Sequence, residues 1–222
     1  MEPVIHPLPA LLPPSIPTKE EMAALPPFDG LALDRITVVA SAAQAAVAVA
    51  HLLAQPIVGF DTESRPTFAK GEVSQGPHVV QFATLNAAWL FQLQQPASIE
   101  AVAALLASDA MTKVGFGLGA DNRQLLAKLG TLPNAVLDLN ALFRARGYRK
   151  SVGARTAVAI VFNQRFFKSK RMSTSNWSYP RLSERQVLYA ANDAYAAIRV
   201  FATMRADADL HGAPSHSVAS DG

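Results

Sequence analysis

The chain has 222 residues, 50% of them hydrophobic, with 20 Lys and Arg against 17 Asp and Glu for a formal charge of +3. That length fits one domain with a real core, because chains usually divide only beyond ~250 residues, and the absence of cysteine excludes a disulfide framework and thiolate metal sites. No apolar run approaches the ~20 residues of a bilayer span, and the start lacks a basic-then-apolar signal, so the expectation is a soluble cytoplasmic protein, or a nuclear one in a eukaryote.

Residues 1–30 carry about half of the 15 prolines. Repeated proline removes backbone donors and disfavours helix, which predicts an extended arm laid on the domain surface or a disordered leader. The main domain is expected over 31–209, followed by a flexible, small and polar tail over 210–222. Within the domain, RITVVAS at 35–41 reads as a strand, and an alanine-rich helix follows with Ser41 as its cap. PIVGFDTE suits a buried strand, and HVVQFATLN with AAWLFQL a hairpin turning near Asn86. SIEAVAALLAS is helical, KVGFG a strand, and ADNRQLLAKLG a helix that stops at Gly130. AVLDL is either a strand or a bridge into the next helix. TAVAIVFNQ and the long segment opened by Ser183 are helices. Strands alternating with helices that become dominant indicate an α/β sandwich with a mixed sheet.

The chemistry-bearing residues sit at the ends of these elements. Asp61 and Glu63 close a strand, where residues i and i+2 point to the same side. Asp121 opens a helix, and Asp193 follows Tyr189 by one helical turn. Each has a bland reading alone: acidic loop, helix cap, core tyrosine. Together, carboxylates that converge are costly to bury unless a cation satisfies them, and an all-oxygen donor set favours Mg²⁺ or Mn²⁺ over zinc.

A glycine run imitates a dinucleotide site. Gly115, Gly117 and Gly119 follow a strand and open a helix, with Asp138 about twenty residues later. The third glycine is one residue early, and Asp121 in the first helical turn would repel a pyrophosphate. No dinucleotide cofactor is expected, and the glycines are read as close helix-to-strand packing.

Charge is polarised. The stretch 139–183 holds no Asp or Glu but contains Arg144, Arg146, Arg149, Lys150, Arg155, Arg165, Lys168, Lys170, Arg171 and Arg181. Such a segment suits a polyanionic partner. Phe166, Phe167, Trp177 and Tyr179 are interleaved as stacking candidates or buried loop anchors. KSKRMSTSNWS reads as a mobile basic loop.

Taken together, FDTE, VGFGLGADNRQLL and YAANDAYA resemble the three motifs of the DEDD superfamily of 3′-5′ exonucleases, in its tyrosine-bearing branch. The resemblance spans about 35–205 and is strongest to the exonuclease domain of the Werner syndrome protein and bacterial relatives, more distant to ribonuclease D. It implies a ribonuclease H-like mixed sheet flanked by helices and two-metal hydrolysis of DNA, the favoured substrate, or RNA from the 3′ end, releasing nucleoside 5′-monophosphates. By the same resemblance Asp61 bridges two ions, Glu63 and Asp193 complete the nucleophile's site, Asp121 serves the second ion partly through water, and Tyr189 orients the attacking water. Histidine-bearing relatives carry His where this chain has Leu188. Glu63 and the backbone at Thr62 would meet the terminal 3′ hydroxyl. Ser64 and Arg123 depart from the Werner pattern beside the terminal nucleotide, and Lys168, Lys170 and Arg171 are read as phosphate contacts. A standalone nuclease is the expectation, of undetermined oligomeric state. A ribonuclease D-like RNA-processing enzyme and a catalytically silent nucleic-acid-binding module are the alternatives.

Overall fold

A computed structural model describes residues 15–67 and 71–210. The first part of the arm, 1–14, and the tail at 211–222 lie outside the described residues.

Six strands form one sheet in the order β1-β4-β3-β2-β5-β6. They are β1 (Ile36–Val39), β2 (Ile57–Glu63), β3 (Val79–Ala83), β4 (Ala88–Gln92), β5 (Thr112–Gly115) and β6 (Val136–Asp138). The expected hairpin pairs β3 with β4 antiparallel, Val79 facing Gln92 and Ala83 facing Ala88. β3 also pairs antiparallel with β2, whereas β2–β5, β5–β6 and β1–β4 are parallel, which makes the sheet mixed. AVLDL resolves as the edge strand β6 because its backbone pairs with β5.

Alternation along the strands supplies two faces. Val80, Phe82 and Phe91 turn to one side and pack with Leu52 of α2 (Ala42–Leu53) and with Val102 and Leu105 of α3 (Pro96–Ala107). Ser41 caps α2 as expected, its hydroxyl accepting from the Gln44 amide. The opposite face, with Val79, Ala83 and Leu90, is covered by the 27-residue α8 (Glu184–Leu210). Ser183 opens α8 by a reciprocal exchange with Gln186.

How closely α8 approaches is set by small residues. Ala190, Ala191, Ala194 and Ala197 on α8 are buried, and a Cβ on Gly59 of β2 would collide with the Ala194 carbonyl. Helix and strand therefore meet at backbone distance two residues before Asp61.

α4 (Gly119–Leu129) ends at Gly130, whose φ of 69° is left-handed, as the C-cap expectation requires. The glycine run before it divides by role. A Cβ on Gly115 would strike the Phe60 carbonyl, so its role is close packing, and Gly117 serves a φ of 68°. Gly119 meets nothing within 4 Å, so the packing reading does not extend to it. Lys113, wholly buried on β5, is satisfied by the carbonyls of Ser108 at 2.6 Å, Asn134 at 3.0 Å and Leu106 at 3.4 Å.

Two expectations need correction. The arm is not extended throughout: α1 (Lys19–Ala24) forms within it, because Thr18 and Glu21 make a reciprocal capping box that offsets the flanking prolines. The basic loop is partly helical, with α7 (Lys170–Ser173), and Trp177 within it is wholly buried. Phe166 is also buried, while Phe167 and Tyr179 are exposed. Between these lie α5 (Asn140–Ala145) and α6 (Ala154–Phe162).

Candidate active site

β2 brings Asp61 and Glu63 to the face covered by α8, and α8 lowers Asp193 onto them. One carboxylate oxygen from each of Asp61, Glu63 and Asp193 lies within 4.8 Å of the others. Glu63 and Asp193 are buried. Burial first, and then mutual repulsion with Asp193, raises Asp61 well above the ordinary carboxylate range. Glu63 rises through burial and then Asp61. Burial also raises Asp193, against the opposing pull of Lys168 and, last, of the Tyr189 hydroxyl.

Asp121 is not part of that tight group. It sits in the first turn of α4, where its Oδ1 accepts a 2.6 Å hydrogen bond from the Thr62 hydroxyl. The expected convergence of all four carboxylates is thus three gathered and one tethered beside them. Ser64 is likewise committed to α4, its hydroxyl donating to Gln124 Oε1 at 2.8 Å. Arg123, one face away on α4, is exposed.

Lys168 departs most from its expected place. Its Nζ lies 3.1 Å from Asp193 Oδ2 and 5.8 Å from the centroid of the Tyr189 ring. Burial alone would lower its pKa, but Asp193 and Asp61 outweigh that and raise it, so the ammonium is firmly charged. The side chain therefore faces the carboxylates, whereas Lys170 and Arg171 remain exposed on α7. Its backbone is anchored from outside: Arg155 donates to the Lys168 carbonyl, and Arg165 pairs with the arm at Pro26 and Phe28.

Tyr189 is buried against Trp177, with ring centroids 5.9 Å apart. Burial and the neighbouring Asp193 push its hydroxyl far above the usual tyrosine range. It is a neutral donor at any physiological pH.

The sequence reading missed Asn192, beside Asp193. Its side chain accepts from the Leu31 amide at 2.7 Å and donates to the Leu31 carbonyl at 3.2 Å and to that of Leu188 at 2.9 Å. A Cβ on Gly30 would collide with it, so the only available signal was a glycine in the arm.

The donor set suits a divalent ion. All the candidate donor atoms are carboxylate oxygens, they lie close enough for one ion, and each acid is held above its normal range by burial that one ammonium does not offset. The one cation that meets Asp193 among the described residues is the Lys168 ammonium at its Oδ2. A hard cation is the partner that ionises such a group.

Fold and cluster together define an α/β domain of the ribonuclease H-like class with an acidic cluster that could hold a cation. Residues 36–209 match the family model described as 3′-5′ exonuclease, and the chain belongs to that family. A 3′-5′ exonuclease of Arabidopsis thaliana is 29% identical over 165 residues, 72% of this chain and 55% of that one. Ribonuclease D of Acidiphilium cryptum is 31% identical over 159 residues, 70% of this chain and 39% of its own. The chain thus spans about half or less of the length of these relatives. Among solved structures, the Nibbler EXO domain of Aedes aegypti superposes with a TM-score of 0.70 at 20% identity, covering 82% of this chain and 92% of that one. No helix among the described residues is long and apolar enough to cross a membrane.

Proposed function

We propose that the chain is a metal-dependent 3′-5′ exonuclease of the tyrosine-bearing DEDD branch, acting on the 3′ ends of DNA or RNA. The observation that carries this reading is the gathering of Asp61, Glu63 and Asp193 within 4.8 Å beneath the same helix turn that presents Tyr189. Hydrolysis adds one water across the P–O3′ bond. The products are a nucleoside 5′-monophosphate and a strand shorter by one nucleotide, ending in a new 3′ hydroxyl.

Asp61, Glu63 and Asp193, with Asp121 to one side, would hold two Mg²⁺ or Mn²⁺ ions, which when bound neutralise phosphate charge and provide hydroxide near neutral pH. The protein's own groups do the rest. Tyr189, kept protonated by burial and by Asp193, donates to the attacking water and fixes its direction. Lys168 brings a permanent positive charge to the edge of the carboxylates, where the scissile phosphate must lie. Thr62, bonded to Asp121, keeps β2 and α4 in fixed relation, and Glu63 with the Thr62 backbone would meet the terminal 3′ hydroxyl.

The test uses 5′-labelled DNA and RNA oligonucleotides in parallel with Mg²⁺, Mn²⁺ or EDTA. A ladder shortening from the 3′ end with metal and none with EDTA is expected. Binding without cleavage under either metal would leave a silent nucleic-acid-binding module. Their relative rates decide between DNA and a ribonuclease D-like preference for RNA.

A further inference from the structure

Asn192 sits in the interior of α8, where a short amide side chain competes with the helix's own backbone bonds and is seldom favoured. Here the amide is fully used. Its Oδ1 accepts from the Leu31 amide, and its Nδ2 donates both to the Leu31 carbonyl and to the carbonyl of Leu188 one turn back. Two of these three bonds go to the arm. Among side chains of this size only a carboxamide can accept from the arm's N–H and donate to its C=O at once, since Asp lacks the donor and Leu lacks both.

The same stretch of arm holds a second segment. Arg165 donates its amide to the Pro26 carbonyl at 2.7 Å, accepts from the Phe28 amide at 3.0 Å and sends its guanidinium to the Ala23 carbonyl at 2.7 Å. Three residues beyond Arg165 stands Lys168, whose Nζ meets Asp193 Oδ2, and Asp193 is the neighbour of Asn192. The path therefore closes on itself: from the arm to Arg165, along the chain to Lys168, across to Asp193, and back through Asn192 to the arm. Phe28 fastens this stretch to the core, its ring centroid 5.8 Å from that of Phe162, 5.5 Å from Phe166 and 6.1 Å from Tyr195. All of the arm's contacts in this circuit lie before residue 36, where the match to the family begins.

We propose that Asn192 is a positioning residue: held by the arm, it fixes the turn of α8 that carries Asp193 and so sets how tightly the carboxylate cluster holds a divalent ion. The inference rests on the exonuclease reading for its effect on cleavage, while metal affinity tests it directly. Carboxylates gathered within 4.8 Å repel once ionised, so packing must keep Asp193 in place before an ion arrives. Both neighbours of Asp193 serve that end. Ala194 rests its carbonyl on β2 at Gly59, and Asn192 grips the arm. Ligands already in place bind without spending affinity on being ordered.

The probe is Mn²⁺ alone, titrated by electron paramagnetic resonance into wild type, Asn192→Ala, Gly30→Ala and the double variant. A Cβ on Gly30 would collide with Asn192 Oδ1, the tip of a side chain, and Gly30 has no positive φ, so Gly30→Ala keeps the fold and pushes the amide off the arm. Each single variant should weaken Mn²⁺ binding by about tenfold, the lower end of what groups behind metal ligands are worth. At limiting Mn²⁺ each should lower kcat on a labelled oligonucleotide and leave KM for the strand little changed. With Asn192→Ala in place, Gly30→Ala should cost nothing more, because the obstacle is gone. Melting in EDTA follows the fold separately: a role confined to stability would lower Tm and leave Mn²⁺ affinity and kcat at wild-type values. That result, or effects of the two substitutions that simply add, would overturn the positioning role. Failure of the exonuclease reading looks different, as a wild-type protein that binds Mn²⁺ and cleaves no oligonucleotide, and the Mn²⁺ comparison among variants then still decides the inference.

Discussion

The carbonyl of Ala194 occupies the space that a Cβ on Gly59 would need, so α8 rests directly on the backbone of β2. Asp193 precedes that contact by one residue and Asp61 follows Gly59 by two. The geometry of the carboxylate cluster is therefore set by a missing methyl group.

Gly59→Ala should lift α8 from β2. Overpacking of this kind costs ~1–3 kcal/mol, and more where the obstacle is backbone. Thermal denaturation should show a clear fall in Tm together with loss of cleavage. A variant of wild-type stability and activity would show that the contact does not set the site.

Asp61→Asn should abolish cleavage, by ~10²-fold or more, while leaving the metal-free protein as stable as wild type or more so. The reason is the cost of burying charge, with repulsion added at Asp61: folded-state pKa values of Asp61 and Asp193 are raised, Asp61 to about 8, so the folded form holds protons that the unfolded form releases. Stability in EDTA is then highest near the ordinary carboxylate pKa and falls as pH rises toward about 8. Mg²⁺ should reverse that trend in wild type and fail to do so in Asp61→Asn. Melting curves from pH 4 to pH 8, with and without metal, provide the comparison.

Tyr189→Phe should lower turnover by ~10²-fold with little change in oligonucleotide affinity, since the hydroxyl serves the water and not the strand. Because the hydroxyl is raised far above its ordinary range, wild-type turnover should show no descending limb from tyrosine ionisation up to pH 10. An unchanged turnover rate in Tyr189→Phe would return the residue to a packing role against Trp177.

Lys168→Met should lower Tm in EDTA more than in Mg²⁺. Its ammonium is the cation that meets Asp193 among the described residues, and removing it leaves a buried carboxylate without an ionic partner. Turnover should fall as well. Equal Tm losses with and without metal would indicate a packing effect alone.

Much of this arrangement was legible in the sequence because it depends on short-range rules. The i, i+2 spacing of Asp61 and Glu63 places both on one strand face, and one helical turn separates Tyr189 from Asp193. Ser41 and Gly130 mark helix ends by the hydrogen bonds their residue types make. What escaped depends on partners far away in the chain. Lys168 turns inward because its segment is held by Arg155 and by the arm's pairing with Arg165, neither of which periodicity reveals. Asp121 stands apart from the tight group through a bond to Thr62, 59 positions earlier. The helix in the arm was a different kind of miss: its Thr18 and Glu21 signature was present, and the surrounding prolines outweighed it in the reading.

The amide of Asn192 closes a two-way hydrogen-bonded ring with the backbone of Leu31, 161 positions earlier and outside the span shared with the family. The turn of α8 that bears Asp193 is thus tied to the arm, and amide exchange should report the two segments as one cooperative unit. A recombinant fragment cut at the edge of sequence likeness would keep every carboxylate of the cluster and yet lose this tie on the helix that presents the last of them.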